Sequence, residues 1–181
     1  MLGTVEDPVL KQRHVFHHPS DDVLVVESWV DPGGGVTPHV HPTQHERFEV
    51  LEGECTFTVG REKVVKRAGE VAEVPPGTRH AYANKSAAQL HMRCEATPPQ
   101  TLEQFLTDVA AMSRAGLITS FGLPKGWRGL LAGTVLLKAY RDMAVIENPP
   151  VAVQKLLGDR LAPLGEKRGF VPGHFAEALG V

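Results

Sequence analysis

The stretch HVHPTQHERFEVLEGE, His39 to Glu54, decides how the chain is read. From Glu46 onward it alternates. Glu46, Phe48 and Val50 share one face, and Arg47, Glu49 and Leu51 share the other, the period of a half-buried strand. His39 and His41 are two residues apart, so in extended backbone they aim at one point. Two imidazoles and a carboxylate beside an apolar strand face form the start of a metal-ligand set inside a β-barrel. One ligand is still missing and must come from elsewhere. His45 neighbours Glu46 and faces the opposite way.

On either side, residues 14 to 95 read as strands. Val23–Val30 is a β-rich run ending at Asp31-Pro32-Gly33-Gly34-Gly35. Cys55, Phe57 and Val59 alternate, Gly60-Arg61 is a hairpin turn, and Val64-Val65 continues the meander. Val71–Val74 leads into Pro75-Pro76-Gly77, then His80–Ala83, then Ala88–Glu95. Short strands punctuated by Gly and Pro predict an all-β sandwich or barrel. Pro98-Pro99 closes this half. Beyond it the apolar period becomes helical: Leu102, Phe105, Leu106 and Val109 follow Thr101, which with Gln104 has the form of a capping box. Gly116 ends that helix. A second helix is expected from about Trp127 to Ile146, although Gly129 and Gly133 weaken it, and a third over Val153 to Leu164.

Two spaced patterns lie in the β half: Gly33-x5-His39-x-His41-x4-Glu46-x6-Gly53 and Gly69-x5-Pro75-x-Gly77-x2-His80-x3-Asn84. With fifteen residues between them, they resemble the two signature motifs of the cupin superfamily, with every fixed position filled. The resemblance implies a mainly β fold, the double-stranded β-helix or jelly-roll barrel, here with an α-helical C-terminal extension. It divides the chain into a barrel domain at 1–98 and an extension at 99–181 that packs on the barrel or on a dimer partner. The metal ligands are then His39, His41, Glu46 and His80, because the Pro75-x-Gly77 turn delivers His80 to the same interior. Three imidazoles and a carboxylate suit Fe, Mn, Ni, Cu or Zn as one divalent ion, and leave open positions for a reactant.

Tyr82 follows His80 by two and shares its inward face, where a phenol can bind a ligand or relay a proton. Glu46 can also leave the metal and act as a base. Phe48, Val50 and Phe57 are the expected apolar pocket lining. Along 88–95, His91 alternates with Leu90 and Met92, so one set faces the interior. With His91 and Arg93 inward, they would supply acid–base and anion-binding groups, and both join the candidate pocket. Asn84 is expected to hold a turn with its side chain. His14, His17, His18 and His174 lack ligand spacing and read as surface.

The formal charge of −2 and the scattered Lys and Arg residues argue against nucleic acid as a partner. Charges among the first thirty residues are unlike a signal peptide, and no uncharged run reaches membrane-spanning length. Cys55 and Cys94 lack a CxxC partner and read as reduced thiols of a cytoplasmic protein. The function expected is that of a metal-dependent enzyme acting on a small organic molecule, with dioxygenase chemistry slightly ahead of isomerase or lyase chemistry. The alternatives are a small-molecule binding or sensor protein and a structural accessory subunit. A homodimer is expected, on the reasoning that the barrel presents sheet edges and an apolar outer face that must be covered.

Overall fold

The computed structural model describes residues 4–181, so the first three residues of the expected barrel segment lie outside the described residues. Ten strands come first: β1 (Thr4–Asp7), β2 (Gln12–Ser20), β3 (Val23–Val30), β4 (Gly35–Val40), β5 (His45–Glu52), β6 (Glu54–Val59), β7 (Glu62–Arg67), β8 (Val71–Val74), β9 (His80–Ala83) and β10 (Leu90–Thr97). The helices α1 (Leu102–Arg114) and α2 (Gly126–Ala139), a two-residue strand β11 (Val145–Ile146), and the helices α3 (Val151–Glu166) and α4 (Phe175–Leu179) follow. The strands form two antiparallel sheets, ordered β1-β2-β3-β10-β5-β8 and β11-β4-β9-β6-β7.

The period-two pattern sets the inner face. Leu24, Val26, Ser28 and Val30 of β3, Glu46, Phe48 and Val50 of β5, and Leu90, Met92, Cys94 and Ala96 of β10 are all buried. Phe57 packs on Phe48 and Tyr82 with ring centroids 5.3 and 6.2 Å away. Gly35 is a glycine for a steric reason: a Cβ there would lie 2.3 Å from the Tyr82 carbonyl oxygen. That close approach sets β4 against β9 beside the His pair. Asn84 holds the 84–88 turn as expected. Its amide donates to the carbonyls of Val30 and Ala88, and its oxygen accepts from the Ser86 backbone N–H.

The outer face of the larger sheet differs from the expectation of an apolar surface. It carries a cross-strand ladder of charge. Arg93 pairs with Glu49 at 2.8 Å, Arg47 reaches Glu49 and Glu95, and His91 pairs with Glu27 at 2.6 Å.

The helical part closes over one side of the barrel. Leu102, Phe105, Leu106 and Val109 of α1 face the barrel cavity, while Ala111 and Met112 join a second apolar core with α2, α3 and Phe175. Asp7 of β1 and Ser113 of α1 hydrogen-bond in the interior and tie the two halves together. Thr101 makes no side-chain cap, so the expected capping box does not form. Instead the Leu102 N–H bonds to the Pro99 carbonyl at 3.2 Å. The second helix also ends earlier than its apolar period predicts. It stops at Ala139, and Tyr140 donates to Asp108 at 2.7 Å. The chain then turns, and the β-branched pair Val145-Ile146 adds to the edge of the smaller sheet, opposite Val40 and His39. Packing requires a glycine at position 129 of α2, because the Leu117 carbonyl approaches so closely that a Cβ would meet it at 2.4 Å.

Candidate metal centre and cavity

His39 and His80 are direct cross-strand partners on β4 and β9. His41 follows the end of β4, where its carbonyl accepts from the Gly77 N–H at 2.8 Å. The turn of the second motif is thereby clamped to a ligand of the first. Glu46 opens the inward face of β5. The ligand atoms of His39, His41, Glu46 and His80 all lie within 4.8 Å of one another. His39 Nε2 is 3.1 Å from His41 Nε2, and His80 Nε2 is 2.8 Å from Glu46 Oε2.

The far side of each ring explains this convergence. Nδ1 of His39 donates to the Thr37 carbonyl at 2.9 Å, and Nδ1 of His80 to the Thr78 carbonyl at 2.9 Å, in both cases two residues back. Nδ1 of His41 donates to the Met143 carbonyl at 2.8 Å, across from the helical part. A carbonyl can only accept, so each Nδ1 carries a proton, and in the neutral ring that leaves the Nε2 lone pair for a ligand. Backbone acceptors of this kind orient and polarise metal-ligating imidazoles. Burial, reinforced by the neighbouring imidazoles, holds His39 down to about 3, and burial lowers His41 as well. Burial alone would raise Glu46, but the surrounding imidazoles outweigh it and leave the carboxyl below its ordinary value. Despite their short separation, Glu46 Oε2 and His80 Nε2 lack hydrogen-bond geometry and are buried without a partner. Buried polar atoms left so are costly unless something completes them. The donor set fits a divalent transition metal, and these four residues could hold one.

The cluster opens on a cavity of about 180 Å³. Phe48 and Tyr82 line it, together with the α1 side chains, Ala144 and Ile146. Val50 and Phe57, expected at the wall, lie in the core outside the lining. His91 and Arg93 must be corrected. They point outward, His91 stacked on Trp29 at 4.5 Å and paired with Glu27, because Leu90, Met92 and Cys94 take the inward parity. Tyr82 faces inward, and its phenol donates to Gln12 Oε1. Burial, with the nearby Cys55, Cys94 and Glu46, pushes that phenol well up. Cys94 is free, and its thiol lies 3.8 Å from Glu46 Oε1.

His14 is the residue the sequence reading missed. It is buried on the inner face of β2, lines the cavity and bonds Ser28 Oγ through Nδ1 at 2.9 Å. Burial holds it down to about 4. The alternation of Gln12, His14 and Phe16 was the available signal. His17, His18, His45 and His174 are outward and pair with Glu27, Glu103, Glu73 and Glu177.

A two-sheet jelly-roll barrel with a three-histidine, one-carboxylate cluster on its inner face is the architecture of a class, and similarity to known proteins identifies that class. A family model described as Cupin domain matches residues 26–94. Over those residues the chain is similar to a cupin domain. An RmlC-like cupin from Shewanella frigidimarina is similar in structure at TM-score 0.50 and 19% identity, covering 55% of this chain and 86% of its own. A protein from Thermus thermophilus is 26% identical at TM-score 0.48, over 54% of this chain and 90% of its own. A double-stranded β-helix protein from Klebsiella pneumoniae is 23% identical at TM-score 0.46, over 50% and 79%. No curated protein matches the chain. Among the described residues no helix is long and apolar enough to cross a membrane.

Proposed function

We propose that the protein is a metal-dependent enzyme acting on a small organic molecule, with His39, His41, Glu46 and His80 as ligands of one divalent transition metal. The observation that carries this reading is the set of three Nε2 atoms turned to one point with every Nδ1 fixed by a main-chain carbonyl. Bound there, such an ion would supply Lewis-acid or redox chemistry to a substrate oxygen.

The chain's own groups do the rest. The apolar walls from Phe48, Met92 and α1 exclude water and orient the substrate. Glu46, itself one of the four cluster residues and held below its ordinary value, is the carboxylate that could leave the ion and accept a proton. His14, neutral and bonded to Ser28, offers a hydrogen-bonding group in the same cavity away from the four ligands. Tyr82 is a positioning residue, since its proton is committed to Gln12.

Dioxygenase chemistry is the first reaction class to test. Protein purified without chelator under anaerobic conditions is analysed for metal, then offered small oxygen-bearing substrates with and without oxygen. Near-equimolar metal with substrate-dependent oxygen uptake is the expected result. Turnover without oxygen uptake would replace oxygenase by isomerase or lyase chemistry. Ligand binding with no turnover in any metal form would replace the enzyme reading by that of a binding protein.

A further inference from the structure

A second cavity, about 310 Å³, lies within the helical part, between α1, α2 and the 118–124 loop. An engineered apolar cavity of about 150 Å³ accommodates one benzene, so this space is about twice what a small ring needs. It is larger than the packing gaps of a close-packed interior and is open on one side. Its lining is almost wholly hydrocarbon. Thr134 spends its hydroxyl on the Leu131 carbonyl, and Tyr140 spends its phenol on Asp108. Asn148 adds one amide to the lining but nothing charged lines it, so a polar group placed there would find little to replace its solvation.

The two cavities share walls. Phe105, Val109, Gly122, Ala144 and Ile146 line both. Ile146 is also the direct cross-strand partner of His39. The shared wall is therefore one strand away from a ligand of the cluster. On the far side the second cavity reaches the surface at Leu123, which is 53% exposed, next to Phe121 at 74%. Polar groups cluster at the barrel end, and an apolar edge meets solvent at the other.

We propose that the second cavity receives the hydrocarbon tail of the ligand whose oxygen-bearing head meets the metal cluster. This rests on the metal reading above. The substrate class is then an alkyl or acyl chain carrying a metal-binding head such as a carboxylate. On this reading the α1 side chains Phe105 and Val109, in the shared wall, are the ones the chain must pass in going between the two cavities. A compact polar sugar or a small dicarboxylate would leave the second cavity empty.

The test is a homologous series of acetate, hexanoate, octanoate and decanoate, titrated calorimetrically into the metal-loaded full chain. Affinity is expected to rise up to about fourfold per added methylene once the chain enters the second cavity. Leu137→Trp and Leu157→Trp, at positions that line only the second cavity, should abolish the gain for the longer acids and leave acetate binding unchanged. A flat series in the unaltered protein, with acetate still bound, overturns the tail site and leaves the metal reading standing. Decanoate binding that is lost in both Trp variants but survives metal removal unchanged overturns the shared ligand, because the head is then not at the cluster. That series in the unaltered protein decides the tail site even if neither variant folds.

Discussion

The histidines of this chain fall into two groups that differ in what holds the ring. Inside the barrel, His39, His41 and His80 each give Nδ1 to a main-chain carbonyl, and their other nitrogens converge. On the outside, His17 and His91 meet Glu27, and His45 meets Glu73, with partly exposed partners. A backbone acceptor is rigid and fixes one tautomer, leaving the second nitrogen to a ligand. The outer carboxylates also take only an N–H, but they engage Nε2 and sit on flexible, solvated stems, so no nitrogens are brought together there. Histidine content therefore says little about this chain's chemistry, whereas the partner of Nδ1 says much.

The largest effect expected from breaking this contrast is at the cluster. The double variant His39→Ala/His41→Ala should lose metal entirely, from near equimolar to background by elemental analysis, while circular dichroism keeps the β signature. Metal retained near equimolarity would remove these two residues from the ligand set.

His14 sharpens the contrast next, because it is inward without belonging to the cluster. Its value in the folded protein, about 4, lies below the ordinary 6.5. Between the two, the unfolded chain binds a proton that the folded one refuses, so folding stability rises with pH across that window. The stabilisation is complete above about pH 6.5 and is lost as pH falls through about 4. It amounts to about 3 kcal/mol for this group. Urea unfolding of metal-free protein at pH 7 and pH 4.5 should show the drop, and His14→Gln should reduce it. An equal drop in the variant would assign the acid sensitivity elsewhere.

A smaller effect is expected where the helical part supports the cluster. Gln154 of α3 donates to the Ile146 and Pro149 carbonyls at 2.8 and 2.6 Å and holds the segment that presents Met143. Gln154→Ala should weaken metal binding by up to about tenfold in a competition titration with a chromophoric chelator, the lower end for loss of an outer-sphere support. The smallest effect belongs to the outer ladder. Glu49→Ala should shift stability only slightly in chemical denaturation and leave metal content unchanged, as solvent-screened ion pairs usually do.

Spacing made the cluster legible. The two motifs bring all four donor residues together because i, i+2 geometry and a Pro-Gly turn are local properties. His14 was not legible by that route, since it has no ligand-spaced neighbour and its burial comes from sheet pairing across β2 and β3. His91 and Arg93 were misplaced for the opposite reason. The apolar parity of Leu90, Met92 and Cys94 already favoured the other face, and a functional motive for the polar set obscured it. The early end of α2 was hidden because helical periodicity continues through Leu136 and Leu137 toward Ile146. Only the vacant edge of β4 turns Val145-Ile146 into a strand.

The hydrogen bond from His41 to Met143 spans 102 residues of sequence. In a chain made from its N-terminus, the four donor side chains leave the ribosome well before the carbonyl that fixes one of them. A barrel folded early would hold His41 with an unsettled tautomer, and full metal affinity would arrive only with the later segment. On the proposed metal reading, the carbonyl that orients His41 is then the last part of the cage to be made.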